Sequence, residues 1–288
     1  MIVVTGATGR LGRLTVESLL ARGVPAAEIA VAVRGPERAA DLAARGVAVR
    51  EGDYDRPDTL AAAFAGADTL VLVSANAPDN ALRIGQHRAA VAAAQQAGVG
   101  RIVYTSIAEA DTNPLSLATV HKATEELIRA TGIPFVFLRN SWYFENYTAG
   151  IPDALGRGGL VGTAAEGRIA AASIADFAEA AAVVAAGTGH DGKAYELTGD
   201  ASWTLGELAA EVAKQTGKPF TYTDLPAEDY AAVLTGAGLA AGLVDMLTDA
   251  EVHTRGGALA LVSADLRTLL GRPTTTLPGA VAEALKTV

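Results

Sequence analysis

The sequence contains no cysteine, which excludes disulfide bonds, a thiol nucleophile and cysteine-ligated metals. Its four histidines, His87, His121, His190 and His253, are far apart and lack the spacing of a metal site. Basic residues are also in the minority, with 23 Lys and Arg against 32 Asp and Glu. The net charge of −9 argues against a nucleic-acid partner, because phosphate binding requires clustered positive charge.

Long hydrophobic runs are absent as well. No uninterrupted apolar segment approaches the roughly 20 residues that cross a bilayer, and the N-terminus lacks the basic and cleavable apolar regions of a signal peptide. We therefore expect a cytoplasmic protein with no membrane partner, either a monomer or a homodimer. Aromatic residues make up only 5% of the 288-residue chain, but 50% of all residues are hydrophobic, which is sufficient for a large core.

The first twelve residues carry the strongest signal in the sequence. Residues 2–4 are a short apolar run typical of a buried strand, and an amphipathic, leucine-rich stretch follows the turn after it. Gly6, Gly9 and Gly12 in that turn have the spacing G-x-x-G-x-x-G. Such glycines allow a tight turn, approach of a pyrophosphate and packing of helix on strand, while the helix N-terminus attracts phosphates. We therefore predict dinucleotide binding, with Arg10 as a further phosphate contact; a purely structural turn is the alternative.

Helical and strand patterns alternate along the first 140 residues. The strands are continuous apolar runs, such as Thr69-Leu70-Val71-Leu72-Val73, which indicates a parallel sheet covered on both faces. We predict an α/β fold with a doubly wound parallel Rossmann sheet over residues 1–140. Residues 141–288 are predicted to form a smaller, mostly helical substrate-binding part, interleaved with the first. A capping box, Thr204-Leu205-Gly206-Glu207, starts one of its helices.

The residue that ends the second predicted strand selects the dinucleotide. An acidic residue there binds the 2′-hydroxyl of NAD, whereas a basic residue pairs with the 2′-phosphate of NADP. This chain has Arg34, with Arg38 one helical turn further on, so we predict NADPH with Arg34 as the main phosphate ligand. Surface exposure without a ligand is the alternative for both arginines. Asp53, after the third strand, either reaches the adenine or caps the helix that starts at Pro57.

The catalytic motif of most short-chain dehydrogenases, Tyr-x-x-x-Lys, is missing. The helix after the fifth strand has Lys122, expected to be solvated, but no tyrosine. His121 on the same helix is expected to be structural rather than a proton donor. Ser106 lies at the end of the fifth strand, where a side chain of the pocket belongs, with capping of a loop as the alternative. The chemistry is therefore expected to come mainly from the cofactor.

Residues 138–147 form the densest aromatic segment of the chain and follow the sixth predicted strand. Open parallel sheets bind ligands at the carboxyl ends of their strands, so this segment is expected to line the pocket. Trp142, Tyr143 and Phe144 are predicted to stack on a planar ring, and Asn140 to bond a carbonyl or the nicotinamide carboxamide. The candidate catalytic residues are Asn140, Trp142, Tyr143 and Ser106. The alternative is that the aromatic side chains anchor the two halves of the protein together.

A set of motifs extends over nearly the whole chain: Thr5-Gly-Ala-Thr-Gly-Arg-Leu-Gly12, Arg34, Tyr104-Thr-Ser106, Ala110-Asp-Thr-Asn-Pro-Leu115, Leu138-Arg-Asn-Ser-Trp-Tyr-Phe-Glu-Asn-Tyr147, Tyr195-Glu-Leu-Thr-Gly-Asp200, Trp203-Thr204 and Pro273-Thr-Thr-Thr-Leu277. The set resembles the NmrA-like atypical short-chain dehydrogenases. Among them it is most similar to the type-2 NADPH:quinone oxidoreductases, relatives of the triphenylmethane-dye reductases. The resemblance implies NADPH bound without flavin and hydride transfer to a small planar acceptor such as a quinone.

The resemblance also implies where the cofactor lies. By this likeness NADPH contacts Gly6, Ala7, Thr8, Gly9, Arg10, Leu11, Gly12, Arg34, Ser74, Ala75, Asn76, Leu138, Arg139, Asn140, Ser141, Ala170, Ala171, Ala172 and Ser173. Two other functions remain open. One is an NADPH-dependent reductase of dyes, imines or carbonyls, and the other is an NADP(H)-binding redox sensor without turnover.

Overall fold

The computed structural model describes residues 1–77 and 79–286. Its strands are β1 Ile2–Thr5, β2 Ile29–Val33, β3 Ala48–Glu51, β4 Thr69–Leu72, β5 Ile102–Ile107, β6 Phe135–Asn140, β7 Gly159–Gly162, β8 Ala194–Leu197 and β9 Thr221–Asp224. Seven strands form one parallel sheet in the order β3-β2-β1-β4-β5-β6-β8, and β7 pairs with β9 in a second sheet. The predicted doubly wound Rossmann sheet is confirmed.

The helices are α1 Arg10–Ala21, α2 Ala40–Ala44, α3 Leu60–Phe64, α4 Asn80–Gln96, α5 Ser116–Ala130, α6 Glu145–Thr148, α7 Ile151–Leu155, α8 Ile174–Ala186, α9 Leu205–Thr216, α10 Ala227–Gly236, α11 Ala241–Arg255, α12 Asp265–Leu270 and α13 Leu277–Leu285. The predicted helices at residues 36–44 and 57–64 begin as short 3-10 turns with proline in the first turn. The predicted capping box is confirmed, because Thr204 Oγ1 accepts from Glu207 N–H at 3.1 Å and the Glu207 carboxylate accepts from Thr204 N–H at 2.8 Å.

Both faces of the large sheet are covered, which explains why its strands are continuous apolar runs. Alternate strand residues, among them Val3, Ala30, Leu70 and Tyr104, form one core with α3, α4 and α5. On the other face α8 packs against α1 and against strands β4, β5 and β6. Every residue of β2, β4 and β5 is buried as a result.

The glycine-rich stretch after residue 150 lacks a sequence period, yet it contains α7 and β7. The β7 strand is defined by its parallel pairing with the distant β9. A Cβ on Gly159 would lie 2.4 Å from the Thr221 carbonyl oxygen, so glycine permits the close approach of the two backbones. This pairing depends on a contact far along the chain, and local patterns do not reveal it.

The chain divides into two compact units. The first comprises Met1–Ala110, Thr119–Asn140 and Ile174–Glu196, and the second comprises Asp111–Ala118, Ser141–Ser173 and Leu197–Val288. Residue 140 is one of the points where the chain passes from one unit to the other. Helix α8 belongs to the first unit although it follows this point, because it packs on the sheet. Within residues 1–77 and 79–286, no helix combines the length and hydrophobicity that a membrane span requires.

Candidate functional site

The glycine turn between β1 and α1 has the geometry that a dinucleotide requires. Gly6 has a φ of 63°, a left-handed conformation that favours glycine. A Cβ on Gly12 would lie 2.5 Å from the Gly6 carbonyl oxygen, so only glycine lets α1 pack this closely on the turn. Gly6, Gly9 and Arg10 are exposed, whereas Ala7 is buried. The backbone of the turn is therefore accessible to a ligand, whereas Ala7 packs in the interior.

The N-terminus of α1 adds an electrostatic reason for anion binding. Gly9 is the N-cap, and among the described residues no side chain caps this end and no acidic side chain lies in its first turn. The first N–H groups of a helix have no intrahelical acceptor, and the helix dipole favours negative charge beside them. Thr8 and Leu11 flank this end and are half-buried. The turn and the helix end together fit a pyrophosphate.

The turn lies where the strand order reverses. The chain runs outward from β1 to β2 and β3 and then returns to β4 on the other side of β1. Ligands of open parallel sheets bind in the crevice at such a point, beyond the carboxyl ends of the strands. A Cβ on Gly6 would lie 3.5 Å from the Cβ of Val73, so the loop after β4 borders the turn. This position suits the predicted contact of residues 74–76 with the cofactor.

Three consecutive N–H groups of the loop after β4 are bound by buried side chains. The bonds run from Val73 N–H to Thr5 Oγ1 at 2.8 Å, from Ser74 N–H to Thr105 Oγ1 at 2.9 Å and from Ala75 N–H to His87 Nε2 at 2.9 Å. Ser74 and Ala75 are half-buried, and Asn76 is exposed. The path of the loop is thus set by side chains of three different elements.

Arg34 directly follows β2 and is exposed. In the described part of the chain its guanidinium makes no hydrogen bond or ion pair. By contrast, Arg13 pairs with Asp41 at 2.5 Å and donates to the carbonyl of Arg38 at 3.3 Å, which fixes the segment after Arg34. The charge of Arg34 is therefore available to a phosphate, and Arg38 is exposed nearby in sequence.

Asp53 does not cap the helix that begins at Pro57. The N-cap there is Arg56, and its side chain makes no capping bond. Asp53 Oδ1 instead accepts from Asp55 N–H at 3.1 Å, and its Oδ2 lies 3.7 Å from Arg56 Nε. The capping alternative is wrong, and contact of Asp53 with the adenine stays a prediction.

Ser106 and Arg139 both bind a fully buried carboxylate, that of Glu125. Ser106 donates its hydroxyl proton to Glu125 Oε1 at 2.7 Å, and Arg139 forms a bidentate pair with Glu125 at 2.7 and 2.9 Å. Glu196 accepts from the remaining face of Arg139 at 3.0 Å. A buried carboxylate needs such partners because desolvation of its charge is costly. Any cofactor contact of Arg139 would therefore come from its backbone; the predicted roles of Ser106 and Arg139 stay predictions.

Asn140 ends β6 and follows the buried residues Leu138 and Arg139. Its side chain is 4% exposed, and its Oδ1 finds no hydrogen-bond donor among the described residues. A buried acceptor without a donor costs about 1–3 kcal/mol, so the position favours a ligand that donates. The amide of nicotinamide is such a donor, which is the role predicted for Asn140.

In the second unit, the aromatic segment and the alanine segment predicted from the sequence lie side by side. Tyr143 pairs with Ala172 in a parallel bridge, and the Ala172 N–H donates to the Trp142 carbonyl at 3.2 Å. Ser141 Oγ donates to the Ala170 carbonyl at 2.7 Å. The backbone thus brings Ser141 and residues 170–173, which the resemblance assigned to one cofactor, into contact. Ala171 is buried within this pairing, and Ser173 Oγ lies 3.1 Å from Thr275 Oγ1.

Phe144 and Tyr147 have a structural role within the second unit. Phe144 stacks on Trp203, with ring centroids 5.5 Å apart and planes 11° from parallel. Tyr147 meets the same indole edge-on at 5.3 Å. Such pairs stabilise a fold beyond their buried area. In the structure Phe144 therefore stacks on Trp203, whereas its predicted stacking on a ligand ring stays a prediction.

A cavity of about 260 Å³ lies beside this aromatic cluster, within the second unit. Its walls are formed mostly by apolar side chains, among them Ile151, Ala154, Leu160 and Leu234, together with Arg157, Tyr147 and Tyr230. The Tyr230 hydroxyl already donates to Glu251 Oε1 at 3.0 Å. Burial, together with the nearby Glu251 carboxylate, raises the pKa of Tyr147. Its hydroxyl therefore stays protonated at neutral pH and can donate a hydrogen bond. The cavity suits a small, largely apolar ligand with an acceptor oxygen.

His121 and Lys122 lie on α5, the helix that carries the Tyr-x-x-x-Lys motif in most short-chain dehydrogenases, and both are placed as expected. His121 is buried, and its Nδ1 lies 2.9 Å from the hydroxyl of the buried Tyr104. Burial lowers the pKa of His121 well below its usual value, with Arg83 and His87 adding to the effect. Lys122 is exposed. Among residues 1–77 and 79–286, no three His, Asp or Glu side chains are grouped to hold a metal ion.

Residues 6–194 match the profile of a family described as NAD(P)H-binding. The chain belongs to this NAD(P)H-binding family. It is 47% identical to quinone oxidoreductase 2 of Escherichia coli (strain K12), over 98% of this chain and 97% of that protein. The E. coli enzyme's structure in complex with NADPH superposes with a TM-score of 0.95, covering 99% of this chain and all of the other. Triphenylmethane reductase of Citrobacter sp. complexed with NADP(H) is 38% identical, with a TM-score of 0.95 and coverage of 99% and 100%. The resemblance inferred from the sequence is confirmed.

Two buried residues of this NAD(P)H-binding protein escaped the sequence analysis. His87 accepts a hydrogen bond from the loop after β4, and the Glu125 carboxylate accepts hydrogen bonds from Ser106 and Arg139. A signal for His87 was present, because Arg83, Gln86 and His87 repeat at helical spacing on an otherwise alanine-rich helix. All three are buried, so the polar stripe marks the inner face of α4.

Proposed function

We propose that this protein reduces quinones with NADPH by direct hydride transfer, without a flavin. The observation that carries the proposal is the 47% identity, over nearly the full length of both chains, to E. coli quinone oxidoreductase 2. The E. coli enzyme has been solved with NADPH bound. The glycine turn of this chain and the unpartnered Asn140 Oδ1 provide independent support, since each fits a part of that cofactor.

Preference for NADPH over NADH is proposed to depend on Arg34. This guanidinium is exposed at the end of β2 and carries a charge that no described side chain neutralises. A 2′-phosphate would form charge-assisted hydrogen bonds with it, whereas the 2′-hydroxyl of NADH would not. Arg38 is the second candidate for the same phosphate.

The residues of this chain hold and orient the reactants. NADPH supplies the hydride from its nicotinamide ring. Asn140 is proposed to accept a hydrogen bond from the carboxamide, which fixes the ring, and Trp142 and Tyr143 are proposed to hold a planar acceptor by stacking. Negative charge that develops on the acceptor oxygen is proposed to be met by a polar donor such as the Asn140 amide or by water. A quinone is electron-poor, so it does not require the missing Tyr–Lys pair.

The first experiment mixes purified protein, NADPH and 1,4-benzoquinone and follows the loss of reduced-nicotinamide absorbance. NADH replaces NADPH in the control, and the rate without protein is subtracted. We expect protein-dependent oxidation that favours NADPH. Asn140→Ala and Trp142→Ala are expected to lower the turnover; unchanged turnover in both would show that the proposed pocket is wrong.

Two alternatives are tested with the same assay. Reduction of dyes is favoured by the 38% identity to triphenylmethane reductase, and a panel of quinones, dyes, imines and carbonyls would rank these substrates. A redox sensor would bind NADP⁺ and NADPH tightly and oxidise NADPH with no member of the panel. We retain the expectations of a cytoplasmic location, no nucleic-acid partner, and a monomer or homodimer as proposals.

A further inference from the structure

His87 is buried on α4 and is bonded through both ring nitrogens. Its Nε2 accepts from the Ala75 N–H at 2.9 Å, and its Nδ1 lies 2.8 Å from Thr124 Oγ1. Thr124 Oγ1 donates its own proton to the Val120 carbonyl at 2.7 Å, so it can only accept from the histidine. These bonds define a single tautomer, with the proton on Nδ1 and a lone pair on Nε2 that faces the loop.

The neutral form of the ring is required for this arrangement. A protonated histidine would carry a donor on each nitrogen, and its Nε2–H would oppose the Ala75 N–H. Burial, with a smaller effect of the Arg83 charge, lowers the pKa of His87 to about 3. The acceptor therefore persists at neutral pH.

Ala75 is the point at which the loop leaves the support of the sheet. The two preceding N–H groups are bound by Thr5 and Thr105, which are strand residues. Arg83, one turn before His87 on α4, donates to Ser74 Oγ at 3.1 Å. His87 and Arg83 thus hold the loop to α4 in addition to its bonds with the sheet. The same loop borders the glycine turn through Val73.

We propose that His87 is a positioning residue for NADPH: by binding the Ala75 N–H it holds residues 74–76 in the path that the cofactor contacts. The proposal rests on NADPH binding, which belongs to the proposed function, but not on the identity of the acceptor. Without the histidine acceptor the loop would have to be ordered when the cofactor binds, and the affinity for NADPH would fall by that cost.

The test compares His87→Leu, which removes the acceptor, with His87→Gln, which keeps an amide oxygen for the Ala75 N–H. Val91→Ala is the matched control, because Val91 is a buried residue one turn further along α4 with no part in the loop. The dissociation constant for NADPH is measured by fluorescence titration of the purified protein. Hydrogen exchange of residues 73–77 is measured on the same proteins without NADPH.

We expect His87→Leu to weaken NADPH binding roughly tenfold and to accelerate exchange in the loop. His87→Gln is expected to restore most of the NADPH affinity and most of the exchange protection. Val91→Ala is expected to change neither the affinity nor the exchange of the loop, even if its melting temperature falls. An unchanged dissociation constant in His87→Leu, or an equal weakening in Val91→Ala, would overturn the positioning role. If the wild-type protein binds no NADPH, the proposed function fails, whereas accelerated exchange in His87→Leu still reports the loop contact.

Discussion

Gly12→Ala is expected to separate the glycine turn from α1. The added Cβ would lie 2.5 Å from Gly6 O, 2.7 Å from Gly6 C and 2.9 Å from Ala7 N, all of them backbone atoms that cannot rotate away. Overpacking of this kind costs about 1–3 kcal/mol, against a gain in helix propensity of about 1 kcal/mol. We therefore expect a net loss of stability of up to about 2 kcal/mol. The dissociation constant for NADPH should rise at least about tenfold, because the helix end must move away from the phosphates.

Gly85→Ala is the matched control for this substitution. Gly85 is an exposed residue within α4, and a Cβ there would meet nothing within 4 Å. This variant gains the same helix propensity without a clash and should be stabilised by about 1 kcal/mol. Urea unfolding of both proteins, read as a shift in midpoint at constant slope, measures the difference, and NADPH titration measures binding. If Gly12→Ala were as stable as Gly85→Ala and bound NADPH normally, the steric reasoning would be refuted.

Three further predictions concern charge. Arg34→Ala should raise the KM for NADPH roughly tenfold or more in steady-state assays while leaving that for NADH unchanged; equal losses for both cofactors would contradict the phosphate contact. The folded-state pKa of His87, about 3, is below its unfolded value of 6.5. Its contribution to stability is therefore present above pH 6.5 and is lost as the pH falls towards 3, about 2 kcal/mol between pH 7 and pH 5. Urea midpoints across this range should fall less steeply in His87→Gln, and an identical slope in both proteins would refute the assignment. Glu125→Ala leaves Glu196 as the remaining carboxylate partner of the buried Arg139 charge, so the free energy of unfolding should fall by about 3 kcal/mol, whereas Glu283→Ala, in the exposed pair with Lys286, should have little effect; similar effects would contradict the role of the buried network.

Much of the first unit could be predicted because its signals are local. The Gly6, Gly9 and Gly12 spacing and the apolar strand runs follow from steric and burial requirements within a few residues of each position. The position of Asn140 at the carboxyl end of β6 could also be predicted, and its contact with a ligand stays a prediction. Strands such as β7 could not be predicted, because a residue pair far apart in sequence defines them.

The ten-residue aromatic segment also combines a feature that the local sequence predicts with features that depend on distant contacts. Its position after β6 was readable from the sequence, but the fate of each ring was not. Phe144 stacks on Trp203, which is distant in the chain, whereas Trp142 and Tyr143 pair with the alanine segment through their backbones. Which ring packs within the unit depends on contacts that no local pattern encodes.

The Rossmann sheet, the glycine turn and the basic residue after β2 can be read from the amino-acid order, because each depends on residue types that lie close together in the chain. The side chains that support the loop after β4 and the end of β6 could be identified only from the folded chain. Arg139 pairs with Glu125, and His87 binds Ala75, because packing of α5 and α4 on the sheet brings these groups within hydrogen-bond distance. Burial then makes each bond specific, since a polar group removed from water must find a partner where the fold places one.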